Sequence, residues 1–253
     1  MQKAAIVLIF LCFPVVCWPK EKITITYFQA APHIMYDSLT GEISGSLYEL
    51  VQDYLAPEMG VSFDWDKTPA TVPRQISLLE EGTRDAAALL IYTPDRAKKM
   101  VFTRHFYAIS RPVLGVLNHH RLERVERVED ILGLKIGWAK DTYISPFMRD
   151  DRIQFEFNSS AKHNQINLKK LMSGRIDCIY VPDRSSLLVE LKKLNIEDDV
   201  RIIDLPEDSG TQHVVFSKKN AVLAERFDEA YERINGDGRY LKLISKYLDV
   251  SKF

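Results

Sequence analysis

Cysteine is scarce in this chain of 253 residues. Two of its three cysteines, Cys12 and Cys17, lie in the first 17 residues, and the third is Cys178. A single remaining cysteine can form neither an internal disulfide nor a cysteine-based zinc site. Because Cys178 belongs to an apolar stretch, we expect it to be buried as a small hydrophobic side chain.

The sequence also lacks the short motifs that mark several classes of enzyme. It contains no GxGxxG, GxxxxGK[ST], GxSxG or HExxH pattern. Nothing in it therefore points to a dinucleotide site, a P-loop, a serine nucleophile or a metalloprotease zinc. The net charge is only -1, so nucleic acid is not indicated as a partner. We expect no catalytic residue, no metal and no cofactor.

Apolar runs are too short to cross a membrane, which takes about 20 residues. One such run, from Ala4 to Val16, follows Lys3 and is interrupted by Pro14. This pattern predicts a secretory signal peptide over residues 1–18, cleaved after Cys17, and hence a periplasmic protein. The alternative is a lipoprotein in which Cys17 becomes the lipidated first residue.

Strands and helices alternate along the part of the chain that follows. Hydrophobic residues make up 46% of the sequence, enough for a substantial core. Their spacing predicts a strand over 22–28, a helix over 46–55, a strand over 61–65 and a helix from 72. A buried strand follows over 86–91, and this order is typical of a parallel sheet with helices on both faces. The charged segment 122–131 is also predicted to be helical.

One sequence pattern occurs twice, which indicates that the chain has two similar halves. The stretches 78–96 and 171–184 each run from a helix end through Gly, Asp and an apolar strand to Pro-Asp-Arg. We expect one lobe from residues 19–112 and 213–253, and a second from 113–212. Extended strands near 111–117 and 211–217 would join the lobes as a hinge. Ligands of such sheets bind beyond the carboxyl ends of the strands.

Arg96 is the first candidate for a ligand-binding residue. Thr93 is a suitable N-cap and Pro94 a suitable first residue of a helix, which places Arg96 in the first turn. A cation is unfavourable there unless an anion faces it, and the guanidinium group matches a carboxylate with two parallel hydrogen bonds. The alternative is that Arg96 pairs with a nearby acidic residue or with water.

Other candidates lie at the predicted strand ends. Phe28 could cover a ligand, whereas Tyr27 is in phase with core residues. Thr142, or Asp141 before it, could cap a helix whose N–H groups bind the same anion, with Tyr143 beside it. Asp183 could face an ammonium group or occupy a surface turn. The candidate ligand-binding set is Tyr27, Phe28, Leu90, Ile91, Arg96, Thr142, Tyr143 and Asp183.

Several segments, in order, resemble the bacterial periplasmic solute-binding proteins of the polar amino-acid family. They include 23–28, 40–45, 79–85, 133–137, 173–177 and 234–240, and the most specific is Thr93-Pro-Asp-Arg96. The resemblance covers nearly all of the chain after residue 22. It implies an α/β fold with two lobes, the type II periplasmic-binding-protein fold. Each lobe is then a mostly parallel sheet flanked by helices, and two hinge strands join the lobes.

The resemblance also implies a function. Such a protein captures a small carboxylate-bearing solute for the membrane permease of an ABC transporter, and acts as a monomer. The solute expected here is an amino acid, and the alternative is another small carboxylate with an apolar body. Arg96 matches the residue that holds the carboxylate, and Thr142 matches one that assists. Ile91 replaces a hydroxyl-bearing residue, and Pro182 stands where a carboxylate for the amino group is usual, with Asp183 one residue later. The alternatives are a ligand-sensing module for a receptor kinase and a dehydratase-like enzyme on the same fold.

Overall fold

The structure is a computed structural model that describes residues 20–140, 142–160, 163–206 and 209–249. The predicted signal peptide and Cys17 lie outside these residues. In chain order, the first part contains strands and helices as follows: β1 Glu21–Tyr27, β2 Met35–Tyr36, β3 Ile43–Ser44, α1 Ser46–Glu49, α2 Ala56–Met59, β4 Val61–Trp65, α3 Val72–Glu80, β5 Ala86–Ile91, α4 Pro94–Ala97, β6 Val101–Phe102 and β7 Ala108–Ser110.

The second part continues with strands and helices in similar alternation. They are β8 Val113–Leu117, β9 Lys135–Ala139, β10 Gln154–Asn158, α5 His163–Met172, β11 Cys178–Val181, α6 Arg184–Leu194, β12 Val200–Asp204, β13 Gly210–Phe216, α7 Ala221–Arg233 and α8 Gly236–Ile244. A π-helical turn over Leu50–Leu55 makes α1 and α2 one continuous helix, longer than the predicted 46–55. It ends at Gly60, whose φ of 69° is a left-handed C-cap that glycine adopts readily.

Two sheets carry the fold. The first has the order β4-β1-β5-β13-β6, with β7 beside β13. Its strands β1, β4 and β5 are parallel, and β13 runs antiparallel to β5. The second has the order β10-β9-β11-β8-β12, in which β9, β10 and β11 are parallel. We call the first sheet with its helices lobe 1 and the second lobe 2.

The chain crosses between the lobes twice, from β7 to β8 and from β12 back to β13. The predicted boundary at 112/113 lies between β7 and β8, and that at 212/213 lies within β13. Each sheet buries apolar side chains on both faces, as its helices require. The central strand β1 contributes Ile23, Ile25 and Tyr27 to the lobe 1 core, where each is at most 1% exposed.

The helix predicted over 122–131 is wrong. Only Val128–Ile131 forms a 3-10 turn, and the residues before it are irregular. The guanidinium of Arg201 donates hydrogen bonds to the carbonyls of His120 and Leu122, at 2.9 and 2.8 Å. These contacts with β12 occupy carbonyls that a helix would need for its own bonds, so tertiary structure overrides helix propensity here.

Among the described residues, the helices are all too short or too polar to span a lipid bilayer. The expectation for Cys178 is confirmed, because its side chain is fully buried in β11. Burial raises the pKa of its thiol well above the ordinary value, so the thiol stays protonated and unreactive at neutral pH.

Candidate functional site

A cleft between the lobes lies at the carboxyl ends of β1, β5 and β11. It encloses about 660 Å³ of space, part of it open to solvent, and most of its wall is apolar. The repeated sequence pattern explains the position of the cleft, since both Pro-Asp-Arg segments follow strands that end here. The residues that line this interlobe cleft include Phe28, Gln29, Ala30, Leu89, Ile91, Arg96, Thr142, Tyr143, His163, Asn164, Tyr180, Pro182, Asp183, Ser186 and Gln212.

Arg96 supplies a cation to the wall of the cleft. The predicted cap is confirmed, because the Arg96 N–H donates to Oγ1 of Thr93 at 3.2 Å and Pro94 is the first helical residue. One guanidinium nitrogen, Nη1, donates to the carbonyl of Ile91 at 2.8 Å. No carboxylate among the described residues lies within ion-pair distance of Arg96, so the alternative of a nearby acidic partner finds no support among them. Burial lowers the pKa of Arg96, yet a guanidinium remains charged at neutral pH.

Asp183 is neither an open surface turn nor a free carboxylate. It caps the N-terminus of α6, and its Oδ2 accepts hydrogen bonds from the Ser186 N–H at 3.2 Å and from the Ser186 hydroxyl at 2.9 Å. The Ser185 hydroxyl donates to the same oxygen at 2.5 Å. Burial disfavours its charge, but His33 and these hydroxyls outweigh burial and lower the pKa of Asp183. Asp183 is therefore ionised at neutral pH.

His33 reaches Asp183 from lobe 1. Its Nε2 lies 3.0 Å from Oδ2 of Asp183, and its Nδ1 lies 2.5 Å from the hydroxyl of Tyr240. Burial raises the pKa of Tyr240 well above its usual value, so this hydroxyl keeps its proton and can donate to Nδ1. A buried chain of hydrogen bonds thus joins α8 to α6. One signal for His33 is visible in the sequence, its place in the loop after the first strand.

A second contact between the lobes pairs two rings. Phe28 follows β1, and His163 is the first residue of α5; their rings stack with centroids 5.6 Å apart and planes at 16°. Burial lowers the pKa of His163, so its imidazole is neutral at neutral pH and suits a stacked arrangement. Phe28 lies in the cleft wall, whereas His163 was not among the residues singled out in the sequence.

Thr142 and Tyr143 both line the cleft but do not begin a helix. The next helical turn is a 3-10 turn over Phe147–Arg149. The Thr142 hydroxyl accepts from Nε1 of Trp138 at 2.7 Å and donates to the carbonyl of Ala139 at 2.8 Å. The predicted helix N-terminus is therefore wrong, because Trp138 and β9 already hold this hydroxyl. Asp141 lies outside the described residues.

Tyr27 and Leu90 are fully buried and do not line the cleft. For Tyr27 this matches its phase with the core. For Leu90 the reason is an irregularity in the pairing of β5 with β13, between His213 and Val215. Leu89 has a φ of 67° at this place, which is strained for a leucine. The bulge turns Leu89 and Ile91 towards the cleft and Leu90 towards α3.

The cleft offers opposite charges on its two sides, Arg96 from lobe 1 and Asp183 from lobe 2. An arrangement of this kind can hold a small solute by a carboxylate and by its donor groups. Over the ranges that the structure describes, no three His, Cys, Asp or Glu side chains come close enough together to hold a metal ion.

The sequence agrees with this geometry over nearly its whole length. The sequence profile of the bacterial extracellular solute-binding proteins, family 3, matches residues 23–250. The chain belongs to this family. The expected family is thereby confirmed, and with it the character of the chain as an extracellular solute-binding protein. No curated protein sequence matches the chain.

Solved structures of solute-binding proteins have the same fold. An amino acid ABC transporter substrate-binding protein from Streptococcus pneumoniae, bound to L-arginine, is 19% identical, with a TM-score of 0.74 over 89% of this chain and 94% of that one. An ancestral arginine-binding protein bound to arginine is 20% identical, with a TM-score of 0.75 over 91% and 99%.

The ligand-binding core of GluR0 from Nostoc punctiforme, in complex with L-glutamate, is also similar. It is 16% identical to this chain, with a TM-score of 0.74 over 90% of this chain and 99% of that one. Such identities establish the fold, and the predicted α/β fold of two lobes, the type II periplasmic-binding fold, is confirmed. Identities this low do not establish which ligand the chain binds.

Proposed function

We propose that this solute-binding protein captures an amino acid, or a closely related small carboxylate, in the interlobe cleft. The observation that carries the proposal is Arg96, a partly buried cation that lines the cleft and meets no carboxylate among the described residues. A charge removed from water without a partner is costly, and a ligand carboxylate would supply that partner. Solved relatives bound to arginine, histidine, glutamine and glutamate support an amino acid as the ligand.

The rest of the cleft fits the two ends of such a ligand. Asp183 uses Oδ2 for all its hydrogen bonds to described residues, and its side chain retains 13% of its exposure. Its Oδ1 is thus the acceptor for the amino group. Phe28 covers the apolar body, and Tyr143 with Thr142 borders the carboxylate from lobe 2. Ile91 replaces the hydroxyl expected in the family, so Arg96 carries more of the carboxylate binding.

A ligand that contacts both lobes at once favours the closed form, since it gains its full set of contacts only in that form. We propose that the lobes, residues 19–112 with 213–253 and residues 113–212, close about the two crossings. The closed monomer then docks on the permease of an ABC transporter and releases the solute unchanged. Export through cleavage after Cys17 belongs to this proposal, and the intact mass of the exported protein tests it against a lipid adduct on Cys17.

The experiment begins with protein purified without added solute. Mass spectrometry of material released on unfolding identifies the ligand, and calorimetry then measures its affinity. Arg96→Ala should weaken that affinity about tenfold or more, because a charge-assisted pair contributes about 1.5–3 kcal/mol. Arg96→Lys should also bind poorly, since an ammonium group cannot reproduce the two parallel bonds.

Arg121→Ala is the matched control, because Arg121 is exposed and lies outside the cleft. It should bind like the wild type. Equal affinity in wild type and Arg96→Ala would place the site elsewhere. Prolonged incubation of the complex should return the ligand chemically intact, whereas a dehydrated product would establish an enzyme.

A further inference from the structure

One carboxylate oxygen of Glu190 is shielded from solvent. It lies on α6, one turn after Ser186, and its Oε2 is buried without a hydrogen-bond partner. Within the described ranges, no lysine, arginine or histidine lies within ion-pair distance of it. The rest of the Glu190 side chain is partly exposed, but a buried carboxylate oxygen without a hydrogen-bond partner is unfavourable, so this arrangement favours a donor that arrives from outside.

Glu190 borders a space as well as the packed interior. Glu190 lines a small pocket with residues of both lobes, which we call the Glu190 pocket. It is continuous with the interlobe cleft, because five of its residues line the cleft as well. The residues of the Glu190 pocket are Gln29, Ala30, Ala31, His163, Asn164, Gln165, Ser186 and Glu190, and the shared ones are Gln29, Ala30, His163, Asn164 and Ser186.

The other titratable residue that lines this pocket, among those described, does not neutralise Glu190. His163 lines the same pocket, but burial lowers the pKa of its imidazole. The ring is therefore uncharged at neutral pH and is occupied by stacking on Phe28. Of the described residues that line the pocket, Glu190 is acidic and none is a lysine or arginine, which favours a cationic group within it.

The cleft has a second extension with the opposite charge. It includes Lys140, Asn158 and Ser160, and it would suit an anionic group. The amine of Lys140 differs from the Glu190 oxygen in one respect, since Lys140 is exposed and its charge is solvated. An exposed charge gains little from a partner, whereas a desolvated one gains much. The physical demand for a ligand group is thus greater at Glu190.

We propose that the Glu190 pocket binds the cationic side chain of a basic α-amino acid whose carboxylate is held by Arg96. This inference rests on the function proposed above and names its substrate class. The ligand then spans two unpaired charges of opposite sign, Arg96 in lobe 1 and Glu190 in lobe 2. Neutralising both at once requires the closed cleft, so the cationic side chain adds to closure as well as to selectivity.

Calorimetry with L-arginine and L-citrulline tests the pocket, because the two differ little in shape but only arginine carries a side-chain charge. Wild-type protein should bind arginine about tenfold or more tightly than citrulline, the ratio expected from one charge-assisted pair. Glu190→Gln should bring the two affinities within about twofold of each other. Glu197→Gln, which removes an exposed carboxylate from the same lobe, should preserve the wild-type ratio. L-lysine is a second cationic probe, whose side chain ends in a smaller charged group than that of arginine.

Equal binding of arginine and citrulline by the wild type would overturn the inference, and so would tighter binding of L-glutamate than of arginine. A Glu190→Gln variant that keeps the full preference for arginine would do the same. Thermal melting without ligand checks that this variant is folded. If neutral amino acids bind and need Arg96 but are insensitive to Glu190, only the inference fails. If no α-carboxylate binds, the proposed function fails with it.

Discussion

Nε2 of His33 lies 3.0 Å from Oδ2 of Asp183, and this pair joins the two lobes at the base of the cleft. His33 is only 1% exposed and is held from behind by Tyr240 and Tyr107, whose rings lie 6.2 and 5.9 Å from its own. Asp183 is fixed on its side as the N-cap of α6. A buried contact of this kind ties the position of a cleft carboxylate to the packing of lobe 1.

His33→Ala should therefore lower the free energy of unfolding by about 2–4 kcal/mol. The variant leaves Asp183 buried without its donor from lobe 1 and leaves a cavity between two tyrosine rings. Urea unfolding measures the loss. His119→Ala is the control, because His119 is exposed and its removal should change stability by no more than about 0.5 kcal/mol. Equal stability of both variants would mean that the contact between the lobes contributes nothing.

The pH dependence of stability should show the contribution of Asp85. Its Oδ2 accepts from the Thr24 N–H at 2.9 Å and from the Thr24 hydroxyl at 2.6 Å, and its Oδ1 accepts from Asn220 at 2.7 Å. Although burial opposes ionisation, these donors and Lys219 lower the pKa of Asp85 below the ordinary 3.8. Its stabilising effect is thus complete above about pH 4 and is lost as the pH falls through the lowered pKa.

Asp85→Asn should lose about 1 kcal/mol at neutral pH, because part of the carboxylate is exposed and its charge is screened. Below about pH 4 the difference between wild type and variant should shrink. Asp64→Asn, which alters an exposed ion pair with Lys22 on the neighbouring strands, should follow the wild type at every pH. A difference between wild type and Asp85→Asn that stays constant down to pH 2 would contradict the assignment.

The start of α8 tolerates no side chain at Gly236. A Cβ built there would lie 2.4 Å from the ring of Tyr231, which is 3% exposed and fixed by a 3.0 Å bond to Asp237. Gly236→Ala should lower the melting temperature, since overpacking a buried ring costs about 1–3 kcal/mol. At Gly238, two residues on, an added Cβ meets only the exposed side chain of Asn235. Gly238→Ala should be near neutral, and equal melting temperatures would disprove the clash.

The periodicity of apolar residues was enough to predict the alternating strands and helices, and capping chemistry was enough to place Arg96 in the first turn of α4. Thr93 and Pro94 define the start of α4 by local chemistry alone, so the prediction did not depend on distant contacts. The prediction for Leu90 failed because a bulge against β13 shifts the phase of β5, and no local signal in an unbroken apolar run reveals such a shift. The helix predicted at 122–131 is absent where Arg201, 79 residues after Leu122, donates to the Leu122 carbonyl, a contact that no local signal reveals.

Residues that act across the cleft carry only weak signals in the sequence. His33 and His163 make their contacts only where the lobes meet, the role proposed for Glu190 depends on the same approach, and each residue looks ordinary in its own segment. His33 follows the first strand, and Glu190 lies four residues after Ser186 on the same face of α6, which are weak signals taken alone. Asp183 was a candidate because of its place at the end of the second apolar strand, but its bond to His33 joins residues 150 apart in sequence.

The placement of β13 has a consequence for the order in which the chain becomes ordered. This strand lies between β5 and β6 and also pairs with β7, although it is the last strand made. Every strand of lobe 2 precedes β13 in the chain. Lobe 2 can therefore complete its sheet while β5 and β6 of lobe 1 still lack the strand between them. Pairings between segments so far apart are slow to form. A chain that ends before residue 210 would therefore leave β5, β6 and β7 without this partner, with the aggregation hazard that unpaired strand edges carry.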